Sequence, residues 1–162
     1  LMMIKVQGSP GKLLPVQLIA VARALQVVGD ALRWVITLFY GRGKKEIPYP
    51  VGEAYAEFLQ KIEQGLPPIR TSELLEVAAA TEDTYEILIV GVRPQDSLPR
   101  YTGSNPVERF LTFANIYEIV AECVDSGYWL ISIRNPQWAD EIVQALAGIP
   151  GVVISAFAPA VG

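Results

Sequence analysis

Histidine is absent from this chain of 162 residues. That one absence removes imidazole metal ligands, imidazole general bases and the common serine and cysteine triads together. Any chemistry has to run on carboxylates, lysine, tyrosine or backbone groups. Cysteine occurs once, at Cys123, so there is no intrachain disulfide framework and no multi-cysteine zinc or iron–sulfur site. The expectation is a reducing, cytoplasmic setting, with no metal and no cofactor. Charge is also scarce, at 19% of residues, and the 17 acidic side chains outnumber the 13 basic ones. The net field therefore repels polyanions, and a nucleic-acid partner is not expected.

Uninterrupted apolar runs of bilayer length are missing as well. Residues 13–40 approach the length of a bilayer span but carry Arg23, Asp30 and Arg33 in their interior, where charge is costly. The opening LMMIKVQ lacks a basic segment followed by an apolar one, so no signal peptide is expected there. No membrane partner is expected.

What remains is an apolar chain, 51% hydrophobic, long enough for one sizeable core. One α/β domain over residues 1–162 is the default expectation. Met3–Gln7 alternate like a strand and run into GSPGK, a turn. Leu18, Val21, Leu25 and Val28 then recur at helical spacing with Arg23, Gln26, Asp30 and Arg33 opposite. The helix is expected to reach about Leu32, with a strand from Trp34 through the β-branched and aromatic WVITLFY. A single helix over the whole of residues 14–40 is the alternative.

A second amphipathic helix contains Phe58, Leu59 and Ile62 and ends at Gly65, before Pro67 and Pro68. A short helix covers SELLEVAAA, and YEILIVGV, residues 85–92, reads as a central strand. Asn105 and Pro106 start a helix expected to run to about Asp125, with Phe110, Phe113, Ile116, Tyr117, Val120, Cys123 and Val124 inward and the Glu118 and Glu122 pair on its solvated side. The last third reads as a β-α-β unit: a strand Tyr128–Ile133, a helix from Asn135 and Pro136 to Leu146, and a strand Val152–Phe157. The expected architecture is therefore about five strands in a mixed or mostly parallel sheet with helices packed against it.

Anion sites are the only ligand sites the residues suggest. GSPGK lies between a strand and a helix, but Gly8 and Gly11 are too close and Lys12 is followed by Leu13, which departs from the phosphate-loop pattern. Arg134 and Asn135 stand at a strand end leading into a helix, where a guanidinium and helix amides can share an anion. The polar stretch 93–105 brings Arg93, Arg100 and Tyr101 as further candidates if it folds over the same end. Arg42, Lys44 and Lys45 form a small basic patch on a glycine-rich loop.

Three functional classes follow. The first is a non-catalytic assembly or protein-interaction module, expected to self-associate because its polar surface is modest. The second is a regulatory protein that binds a small anion or nucleotide near Arg134, and the third is a histidine-independent enzyme.

Overall fold

The computed structural model describes residues 1–9, 16–43, 55–100, 103 and 105–159. Helix α1, Leu18–Ala24, turns its Leu18, Val21 and Ala22 inward. It tightens into a 3-10 segment, Leu25–Ala31, broken at Gly29. Gly29 has φ 55° and ψ −130°, a backbone conformation that only glycine adopts without strain. Past that break β-branched and aromatic residues take over, and strand β2 runs Arg33–Gly43. The helix-then-strand reading of this segment holds, and the single long helix does not.

Helices α2 (Tyr55–Glu63) and α3 (Thr71–Ala80) lead to strand β3, Thr81–Val92. Helix α4, Pro106–Ala114, is capped by Asn105, whose side chain accepts from the Val107 N–H at 2.9 Å. The expected continuation of this helix to Asp125 is overturned: it stops at Ala114, and Ile119–Val124 form a strand, β4. Spacings of four satisfy both periods, so Val120 and Val124 share a face in either structure. Burial on both faces decides the matter, since every residue of β4 is buried. The Glu118–Glu122 pair is thus not a solvated helix stripe, because Glu122 lies wholly inside.

Strand β4 turns at Asp125–Gly127 into β5, Tyr128–Ile133, which is followed by α5, Pro136–Ala147, and β6, Val152–Ala156. With β1, Met2–Gly8, these strands form one sheet of six in the order β2-β3-β4-β5-β1-β6. Every neighbouring pair is antiparallel, which overturns the expected five-stranded, mostly parallel sheet. Two causes are identifiable. The segment read as helix supplies the extra strand β4, joined to β5 by a tight turn that permits only antiparallel pairing. In addition, β1 inserts between β5 and β6, pairing antiparallel with both. The β-α-β unit consequently exists in split form, its two strands parallel to one another but separated by β1.

Alternation sends Ile119, Ala121 and Cys123 of β4 into a core under α1, α2, α3 and α5, and Val120 and Val124 into a smaller core under α4. The nine residues of α4 leave much of that second face to side chains of the sheet itself. One is Lys5, whose Nζ lies 4.4 Å from the Tyr128 ring centroid.

The β4–β5 turn carries an avoidable cost. Asp125 and Ser126 sit at φ 48° and 52°, left-handed values that disfavour a side chain by ~1 kcal/mol each. The turn is nevertheless held by Gly127 N–H to Val124 O at 2.9 Å and Ser126 N–H to Tyr85 O at 2.7 Å. Ser126→Gly should therefore raise the unfolding free energy by ~0.5–1 kcal/mol, measured by urea denaturation. A loss of stability would show that the serine hydroxyl matters more than the backbone strain.

Candidate functional site

Antiparallel pairing brings the end of β3, the start of β4 and the end of β5 to one side of the sheet. Arg93 and Arg134 meet there around Glu118. The Arg93 guanidinium is 3.5 Å from the Glu118 carboxylate and 5.9 Å from the Trp138 ring centroid. The Arg134 backbone N–H donates to Glu118 O at 3.1 Å, while its Nε and Nη2 donate to Tyr117 O at 3.3 Å and Ala114 O at 2.5 Å. Arg134 thereby supplies a partner to the last carbonyl of α4, Ala114 O, and to Tyr117 O in the connection that follows.

Asn135 caps α5, its Oδ1 accepting from Gln137 N–H at 2.9 Å and Trp138 N–H at 3.2 Å. The polar stretch after β3 does reach this end: Tyr117 Oη donates to Ser97 O at 2.7 Å. Burial, followed by the nearby Asp96 charge, holds the Tyr117 phenol above its ordinary value. Arg100 is exposed, and Lys12 and Tyr101 lie outside the described residues. So do Lys44 and Lys45 of the basic patch, whereas Arg42 pairs with Asp83 at 2.6 Å and Glu82 at 3.5 Å.

A second cluster was not legible as such. Arg109 of α4 and Glu122 of β4 form an ion pair between helix and sheet, 4% and 0% exposed. Arg109 Nε donates to Glu122 Oε1 at 3.1 Å and Nη2 donates to the same oxygen, while Glu122 Oε2 has no partner among the described residues. Desolvation outweighs the arginine and pushes the Glu122 carboxyl up to about 7. Nearby, a hydrogen bond with Asp125, then burial, raises Glu86. Cys123 points the other way, into the larger core, and burial pushes its thiol up to about 12, which makes it a poor nucleophile at neutral pH. Among the described residues no group of three or more acidic or cysteine side chains is placed to hold a metal ion, and no helix is long and apolar enough to cross a membrane.

The two edges of the sheet differ in kind. On β2, Trp34 and Ile69 exchange backbone hydrogen bonds of 2.8 Å in both directions, three register shifts interrupt its pairing with β3, and Arg42 adds charge. These are the devices that keep an edge from recruiting another strand. Strand β6, VVISA, has an unbroken register with β1 and carries no charge, proline or bulge. Among the described residues, shortness is its one protective trait. Residues 142–162 contain no Asp, Glu, Lys or Arg at all, and Val153 is 39% exposed.

No family model, curated protein or solved structure matches this chain.

Proposed function

We propose that this chain is a non-catalytic assembly module that associates with a second copy of itself through the outer edge of β6. The observation that carries this reading is the contrast between the guarded edge at β2 and the unguarded one at β6. An unpaired strand edge offers backbone donors and acceptors to any strand that can approach it. Neutrality of the approaching surface favours a copy of the same chain, because a two-fold contact sets residues beside their own counterparts and a charge there would meet its like. A cytoplasmic setting suits the single buried thiol.

A small-anion regulator would instead draw on Arg93 and Arg134. Their guanidinium groups are engaged with Glu118 and with the Ala114 and Tyr117 carbonyls, so a ligand would have to displace bonds already made. Self-association asks for no such exchange.

The test is Val153→Lys, which adds a charge beside the edge without touching the β1 ladder. It should raise the dimer dissociation constant by ~10-fold or more in sedimentation velocity, with the circular dichroism unchanged. An unaltered dissociation constant would remove β6 from the contact.

A further inference from the structure

The hydrogen-bonding pattern of β6 also specifies how two copies would meet. We infer an antiparallel β6–β6 pair with its two-fold axis through Ile154; the inference rests on the self-association proposed above. Phe157 N–H donates to Met3 O at 2.9 Å and Ser9 N–H to Gly151 O at 2.7 Å. Residues facing a given neighbour alternate along an antiparallel ladder, so Val153 and Ser155 face β1 while Val152, Ile154 and Ala156 face outward. The Val152 N–H is already used, donating to Ile149 O at 3.2 Å. The outward donors left in the strand are the N–H groups of Ile154 and Ala156.

An axis through Ile154 provides for both. Each Ile154 N–H donates to the partner's Ile154 carbonyl, and each Ala156 N–H donates to the partner's Val152 carbonyl. The Val152 N–H, which would face the partner's Ala156 carbonyl, is the one already satisfied internally. This is also the register in which the strand overlaps its copy along its whole length. A shift that centres on Ser155 moves Val152 opposite the partner's Ala158, beyond the strand, and one that centres on Val153 moves Ala156 opposite the partner's Pro150.

The faces agree with this arrangement. A two-fold perpendicular to the sheet keeps like faces together, so Ile154, which packs against the larger core, meets its counterpart on that side. Val153 and Ser155, both exposed, lie on the α4 side, each opposite the other type on the partner. The product is one sheet continuous across both chains.

Cross-linking reads the register directly. Val153 and the partner's Ser155 form a non-hydrogen-bonded pair with Cα atoms ~4.5 Å apart, within disulfide reach, whereas Val153 and its own counterpart stand roughly 8 Å apart, beyond it. Val153→Cys and Ser155→Cys are purified separately, then oxidised singly and as an equimolar mixture. Covalent heterodimer in the mixture and none in either single sample is the expected result; Cys123 is buried and gives no background. Dimer from Ser155→Cys alone places the axis at Ser155 and overturns the register, as does dimer from Val153→Cys alone. Sedimentation of the unmodified chain separates the two levels of the argument. A dimer that yields no cross-link in any sample overturns the register alone, and a monomer overturns the self-association it rests on.

Discussion

Arg109→Ala lowers the unfolding free energy by about 3–5 kcal/mol at pH 8 and by roughly 1 kcal/mol less at pH 5. The difference comes from Glu122. In the folded chain its carboxyl, desolvated under α4, holds a proton up to about pH 7, against a reference near 4.5. Between those values the folded state binds more proton than the unfolded state, so stability is greatest below about 4.5 and falls as pH rises through 7. At 1.36 kcal/mol per unit, the total loss is on the order of 3 kcal/mol.

Arg109 lowers the Glu122 pKa. Its removal forces the buried carboxyl either to stay charged and unpaired or to bind a proton at pH 8, a cost of roughly 1 kcal/mol that is absent at pH 5, where the carboxyl is already neutral. Two controls isolate the cause. Glu122→Gln should flatten the fall in stability between pH 5 and 8. The double variant Arg109→Met, Glu122→Leu should be close to neutral or more stable, because it also removes the unpartnered Oε2. Urea unfolding at both pH values measures all of these, and an equal cost of Arg109→Ala at pH 5 and 8 would contradict the protonation argument.

Trp34→Ala costs about 3–5 kcal/mol, the range for a large aromatic lost from a packed core. Trp34 is fully buried, and its Nε1 donates to Thr71 Oγ1 at 2.8 Å, which in turn donates to Gly29 O at 2.7 Å. Across the sheet it lies opposite Gly91. A Cβ on Gly91 would come within 3.1 Å of Trp34 Cζ3 and 2.9 Å of Leu32 Cδ1, so the missing side chain makes room for the indole. Trp34→Phe retains most of the ring and leaves the Thr71 hydroxyl bonded to Gly29; its cost should be ~1–2 kcal/mol. Equal losses for Phe and Ala would point to the indole N–H rather than to packing.

Local signals served well where each was unambiguous. Asn135 and Pro136 start α5, Gly148 follows its end, and Tyr128–Ile133 is a strand with the expected bounds. Residues 115–124 failed because Phe110, Phe113, Tyr117, Val120 and Val124 keep helical spacing across a boundary marked by neither glycine nor proline. The partner of the last α4 carbonyl is remote: Arg134, brought in by β5, donates to Ala114 O, and also to Tyr117 O in the connection to β4.

Losing β4 from the reading also hid Glu122, since a carboxylate at helical spacing from Glu118 reads as solvated decoration. Arg93, Arg134 and Asn135 do come to one end of the sheet, a neighbourhood their positions at strand ends suggested. The insertion of β1 between β5 and β6 is set by long-range pairing and has no local marker. The exposed edge of β6, on which the functional proposal depends, follows from that strand order.

Sedimentation equilibrium of the unmodified chain over a range of concentrations tests the central claim most directly. Self-association through β6 predicts a two-state fit between the mass of one chain and twice that mass, the dimer dissociating when Val153→Lys is introduced. A single-chain mass throughout the range, or a dimer indifferent to Val153→Lys, would contradict it.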